Sequence, residues 1–290
     1  MMFKRYFPSL AAILLLATAV SAQEKAASFE LQPDIVYRKA DGKEIKLDIA
    51  MPKEGQGPFP AVVCVHGGAW RMGSRKDLRD WIEYLAGQGY VAASISYRLV
   101  PDSKWPAQIE DCKTAVRFLR ANAAKYRINP EKVGALGYSA GGHLVCLLGT
   151  TDAKHGFDGP ELSEQSSKVQ AVVSYFGPTD LSFYGTDETA QNAVFQPMLG
   201  CRFKDKPEAY EKASPICYVC KEAPPFLFLH GTADKLVPIE QSRQMAAKLK
   251  DAGASARLIE VPDGDHGWGG KDATHTTRET VKFLAEHLKK

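Results

Sequence analysis

Six short runs of continuous apolar residues, at 60–65, 90–97, 133–137, 169–176, 225–229 and 256–261, constrain this chain more than any other feature. Each is rich in Val, Ala, Leu or Ile without regular polar alternation, which is the pattern of a strand covered on both faces. Amphipathic segments with helical spacing separate them, at 78–87, 109–124, 140–149 and 239–252, and one more at 274–288 closes the chain. Strands and helices alternating in this order build a mainly parallel sheet with helices on both faces. The segments 34–39 and 44–51 differ, because polar and apolar residues alternate in them around Asp41-Gly42. They predict a hairpin with one wet face, which adds antiparallel strands at the start of the sheet. The expected fold class is therefore α/β, with ligands held beyond the carboxyl ends of the strands.

Residues 1–22 read as a secretory signal peptide: Lys4 and Arg5 precede an apolar run at 10–20, and Val20-Ser21-Ala22 ends it. A spanning helix needs about 20 apolar residues, and this run is shorter. With no cysteine at the cleavage site to take a lipid, the mature protein is expected to be secreted or periplasmic, without a stable membrane anchor. Residues 30–290 are expected to form one catalytic domain. The loop-rich excursion at 177–215 is a candidate small cap, since long excursions inside compact domains are usually functional. The 37 Lys and Arg and 34 Asp and Glu are interspersed, for a net charge of +3, and no basic run follows a phosphate backbone. Nucleic acid is thus not expected as a partner.

Cys64, Cys112 and Cys146 lie in apolar segments and read as buried thiols, whereas Cys201, Cys217 and Cys220 leave room for one bridge without saying which. Cys217-Tyr218-Val219-Cys220 lacks the second pair that a zinc site needs, so a structural role is expected for it. His143 follows the start of a helix, His155 is in a polar loop, and His230, His275 and His287 have no carboxylate at ligand spacing. No metal or cofactor is called for.

The chemistry concentrates at Gly137-Tyr138-Ser139-Ala140-Gly141, a G-x-S-x-G stretch. At average composition that pattern arises by chance in roughly one chain in ten of this length, so its setting decides. An apolar strand precedes it and a helix follows, the arrangement that presents a nucleophilic serine on a sharp turn. Ser139 is accordingly the candidate nucleophile and the Ala140 N–H the first oxyanion donor, at a helix N-terminus where free amides face a developing anion. His66-Gly67-Gly68-Ala69-Trp70 ends the 60–65 strand, and Gly67 or Gly68 is the candidate second donor. His66 precedes the serine within the glycine turn and reads as structural. A base and its orienting acid are expected later, each on a loop after a strand: Asp234 in His230-Gly231-Thr232-Ala233-Asp234 and His266 in Gly264-Asp265-His266-Gly267-Trp268. Asp180 is the alternative acid, followed by Asp263 and Asp265. Trp70 and Trp268 flank the catalytic loops as possible substrate contacts, or as packing beneath them.

These motifs, together with Tyr97-Arg98-Leu99, Trp105-Pro106, Ser214-Pro215-Ile216 and Lys235-Leu236-Val237-Pro238, resemble the bacterial feruloyl and acetyl (xylan) esterase branch of the α/β-hydrolases, related to hormone-sensitive-lipase-like carboxylesterases. The resemblance runs from about Asp34 to the C-terminus. It implies an α/β-hydrolase fold and hydrolysis of acetyl or feruloyl esters on plant polysaccharides or their fragments. The acid context here, H-G-T-A-D-K-L-V-P, differs from the D-P-L context of the hormone-sensitive-lipase-like group and is shared with prolyl-oligopeptidase-like domains, which normally carry a propeller. Kynurenine formamidases share H-G-G-x-W, but a leader peptide counts against their cytosolic role. With Ser139, Asp234 and His266 all present, a binding module that has lost its nucleophile or base is disfavoured.

Overall fold

The computed structural model describes residues 28–290. The signal peptide expected at 1–22 therefore lies outside the described residues. Among the described residues eight strands form one sheet: β1 (Phe29–Ala40), β2 (Lys43–Pro52), β3 (Phe59–Val65), β4 (Val91–Ile95), β5 (Ile128–Tyr138), β6 (Ala171–Tyr175), β7 (Phe226–Gly231) and β8 (Ala256–Val261). Their order is β1-β2-β4-β3-β5-β6-β7-β8. The β1–β2 and β2–β4 pairings are antiparallel and the other five are parallel. The opening hairpin turns at Asp41 and Gly42, with φ of 52° and 71°. Positive φ at both central residues matches the right-handed twist of the paired strands.

The continuous apolar runs have the expected cause. Along β3, Ala61, Val63 and Val65 join one buried cluster while Val62 and Cys64 join another on the opposite face. A strand with no wet face has no use for polar alternation. Helices α1 (Arg79–Gly87) and α9 (Gly270–Leu288) cover the face of Val62 with Ile82, Leu85, Phe283 and Leu284. On the other face lie α2 (Ala107–Ala121), the single turn α3 (Ala123–Tyr126), α4 (Ala140–Thr150) and α8 (Glu240–Asp251), through residues such as Val116, Tyr126, Leu144 and Met245.

The 177–215 excursion is more ordered than its composition indicates. It contains α5 (Glu188–Ala190), a π turn at Gln191–Phe195, α6 (Gln196–Leu199) and α7 (Pro207–Ala213). Asp187 caps α5 through Oδ1, which accepts from the amides of Thr189 and Ala190. Phe195, Met198 and Tyr210 bury themselves in the main core, so the excursion is bolted down rather than hinged. All six cysteines are free thiols, so the region of Cys201, Cys217 and Cys220 contains no bridge. Among the described residues, no helix is long and apolar enough to cross a membrane.

Candidate active site

Ser139 stands between β5 and α4 with φ of 52° and ψ of −116°. So tight a turn brings its flanking residues against neighbouring backbone. A Cβ on Gly137 would lie 2.3 Å from Gly141 O, and one on Gly141 would lie 2.1 Å from Val65 O. No side chain fits at either place, which is the physical content of the G-x-S-x-G spacing. The Ser139 amide is tied to Tyr175 O at 2.9 Å, which fixes the turn to β6.

The β3 turn rests directly on this elbow, since a Cβ on Gly67 would lie 3.0 Å from Tyr138 O and 3.3 Å from Ser139 Cβ. Gly68, Ala69 and Trp70 then follow with φ of 102°, 50° and 58°. Two consecutive non-glycine residues in the left-handed region each cost on the order of 1–3 kcal/mol unless their surroundings enforce them. Here the amides of Arg71 and Met72 both donate to Gly68 O, and Trp70 O accepts from the Val100 amide. Arg71 Nη1 also donates to Ala193 O, joining the β3 turn to the excursion.

Asp234 and His266 come from the loops after β7 and β8, and the structure brings both to Ser139. His266 Nε2 is 2.9 Å from Ser139 Oγ, and His266 Nδ1 is 2.8 Å from Asp234 Oδ2. Asp234 Oδ1 accepts from the amides of Leu236 and Val237, at 2.9 Å each. Burial alone would raise the Asp234 pKa, but hydrogen bonds from His230 and His266 outweigh it and hold the carboxyl well below the usual carboxylate range. An ionised Asp234 accepts the Nδ1 proton of His266, leaving the Nε2 lone pair for the serine hydroxyl. The alternative acids are occupied elsewhere. Asp180 Oδ1 caps the Ser182 amide, Asp265 Oδ1 accepts from the His266 amide, and Asp263 is a turn residue with φ of 56°.

The structure decides one open sequence-based reading and corrects another. Trp70 is 3% exposed, wedged edge-on against His143 with its centroid 5.1 Å away, so it packs beneath the loops and offers no open surface to a substrate. Trp268 is half-buried, and its Nε1 donates to Thr276 Oγ1. Second, His230 does face a carboxylate: its Nε2 is 3.3 Å from Asp234 Oδ2, with both side chains fully buried. The i,i+4 spacing in H-G-T-A-D was the available signal. Phe176 was also missed; its ring packs 4.5 Å from the His266 imidazole, at the end of β6. His66 and His143 stay apart from the serine. His66 Nδ1 donates to Gly67 O and its ring stacks on Tyr97 at 4.3 Å, while His143 Nε2 donates to Ala213 O.

A mostly parallel sheet with a serine on a strand-to-helix elbow, and an acid and a base on later strand ends, defines an α/β-hydrolase. Within that class the chain belongs to the BD-FAE family, whose pattern matches residues 47–249. Ser139 and Asp234 fall inside the match and His266 beyond it. The chain is 38% identical to esterase LipC of Mycobacterium tuberculosis over 226 residues, 76% of this chain and 55% of LipC. It thus spans about half the length of that relative. Among solved structures, a truncated carbohydrate esterase from gut microbiota superposes with a TM-score of 0.78 at 30% identity, covering 93% of this chain and all of that one. The propionate-bound esterase 2 of Thermogutta terrifontis gives 0.73 at 28% identity, covering 90% of this chain and 93% of its own.

Proposed function

We propose that this protein is an exported serine carboxylesterase that hydrolyses short-chain or aromatic acyl esters, with acetyl or feruloyl groups on plant polysaccharides or their fragments as the substrate class. The observation that carries the reading is the hydrogen-bonded line Ser139 Oγ, His266 Nε2, His266 Nδ1, Asp234 Oδ2, set against the glycine turn of β3.

In this reading Ser139 Oγ attacks the ester carbonyl carbon while His266 Nε2 takes the hydroxyl proton. The carbonyl oxygen becomes an oxyanion, held by the Ala140 N–H and by that of Gly67 or Gly68. The intermediate collapses, the carbon–oxygen bond to the alcohol breaks, and the departing alcohol takes the proton from His266. Water then attacks the acyl-serine with His266 again accepting a proton, the bond from the acyl carbon to Ser139 Oγ breaks as His266 returns that proton to Oγ, and the acid leaves. Asp234 keeps the imidazole in the required tautomer and offsets its charge when it is protonated.

The short-acyl preference is supported by the excursion, whose apolar side chains Phe195, Met198 and Tyr210 are spent on the core. A long acyl tunnel would need such side chains to line it. The likeness to a carbohydrate esterase and to an esterase crystallised with propionate supports the same substrate class. The test is a fluorophosphonate probe, followed by a panel of acetyl, butyryl, octanoyl, feruloyl and formamide substrates. Labelling that depends on Ser139, with acetyl, butyryl or feruloyl esters preferred over octanoyl, is expected. Because each buried methylene contributes about 0.8 kcal/mol, kcat/KM climbing steadily with chain length would reveal an acyl tunnel and a lipase. Formamide turnover above all esters would reassign the reaction to amide cleavage.

A further inference from the structure

His230 is the penultimate residue of β7, a fully buried side chain four residues before the acid. Both of its ring nitrogens are engaged. Nε2 lies 2.7 Å from Val237 O, and Nδ1 lies 2.7 Å from Ser242 Oγ on α8. A peptide carbonyl has no proton to give, so the proton in the first contact is on Nε2. Nε2 itself also lies 3.3 Å from Asp234 Oδ2, the oxygen that receives His266 Nδ1–H. The carboxylate is therefore held at both ends, by two amides on Oδ1 and by the His266 imidazole on Oδ2 with the His230 imidazole beside it.

We propose that His230 is a positioning residue of the catalytic machinery, which acts through Asp234 to set the orientation and basicity of His266. This rests on the esterase reading above. The argument is one of shared electron density. An oxygen that accepts a second N–H offers less to the first, so His230 tempers the bond from Asp234 to His266 and keeps the base from being held too readily as imidazolium. It also prevents the carboxylate from rotating about its Cβ–Cγ bond. The other charges around His230 leave this role to it. Glu260, its register partner on β8, is exposed and bound by Arg243 of α8 at 2.7 and 2.8 Å, so that pair is internally neutral. With the ring proton on Nε2, Nδ1 accepts from the Ser242 hydroxyl, which imposes no charge.

The experiment compares His230→Phe, which keeps bulk and removes the donor, with His230→Gln, whose amide N–H reaches about as far as Nε2. Hydrolysis of p-nitrophenyl acetate is followed from pH 5 to 9, beside thermal melting of both variants. His230→Phe is expected to lower kcat by about 10-fold or more with KM nearly unchanged, the pattern of an interaction that matters after substrate is bound. The acid limb of its kcat/KM profile moves to higher pH, because Asp234 then holds protonated His266 more tightly. His230→Gln recovers kcat to within about threefold of the wild type and restores the limb. If both variants melt lower by similar amounts while His230→Phe keeps the wild-type kcat and acid limb, His230 only packs, and the proposal is overturned. Ser139→Ala serves as the control. Turnover that survives it would bring down the hydrolase reading and this role together, whereas Ser139-dependent turnover indifferent to His230→Phe removes only the role of His230.

Discussion

Around Ser139 the working groups are backbone amides held in place by glycine contacts, whereas around Asp234 and His266 they are ionisable side chains held by hydrogen bonds. The serine half disfavours buried cations: burial lowers the pKa values of both His66 and His143, that of His143 to about 4. The acid–base half keeps a desolvated carboxylate charged by giving it three N–H donors and setting His230 Nε2 3.3 Å from Oδ2. The difference teaches which kind of change each half tolerates. The serine half depends on shape and should fail sterically, while the acid–base half depends on proton position and should fail electrostatically, with the fold intact.

The sharpest test of this division is a pair of substitutions that leave the shape alone. Ser139→Ala should lower kcat by at least about 10⁴, with binding less affected, since nucleophile and base act as one unit. Half of the wild-type turnover surviving that change would end the mechanism. Asp234→Asn should lower kcat by up to about 10⁴ by presenting the wrong histidine tautomer. A melting temperature close to the wild type would show that the loss is electrostatic. Asp180→Asn is the matched control, because that side chain only caps the Ser182 amide, and its turnover should stay near the wild-type rate. If Asp180→Asn were the damaging change, the acid would be misassigned.

Shape dominates the next prediction. Trp70→Ala removes a large buried side chain from beneath the β3 turn and should destabilise the protein by about 3–5 kcal/mol. Ala69 and Trp70 hold a left-handed backbone that this packing enforces, so turnover should fall for every substrate alike. A KM that rises only for feruloyl or glycosidic esters, with the melting temperature unchanged, would return Trp70 to the role of substrate platform.

The same contrast explains what could be read from the sequence. Steric requirements leave a local trace: Gly137, Gly141 and the Gly67-Gly68 pair stand beside the residues they serve, and alternating side chains on β3 announce two covered faces. Hydrogen-bond requirements leave less. The bond from His230 to Asp234 hides inside a motif that reads as a turn, and Phe176 meets His266 only because β6 and the loop after β8 end at the same edge of the sheet. The order in 177–215 was obscured because its helices are single turns or little more, too short for periodicity to register, and are stabilised by caps and by rings buried in the core. Trp70 shows the limit from the other side, since adjacency to a catalytic loop does not say on which side of it a ring lies.

The smallest expected effect concerns the neutral character of the serine half. His143 is fully buried between Trp70 and Trp105, and its Nε2–H donates to Ala213 O. Its folded pKa is pushed down to about 4, below the ordinary histidine value near 6.5. The sign follows from proton counting. Between those two values the unfolded chain binds a proton that the folded protein does not, so stability falls as the pH drops from about 6.5 toward 4. The loss attributable to His143 alone is on the order of 3 kcal/mol by pH 4, and His66 adds to it in the same direction. His143→Gln keeps an N–H for Ala213 O but cannot titrate. Its melting temperature, whatever its value at pH 7.5, should therefore fall less steeply than the wild type's between pH 6.5 and 4. Identical slopes would mean that His143 is protonated in the folded protein at mildly acidic pH. The serine half would then tolerate a buried charge, and the contrast between the two halves would not hold.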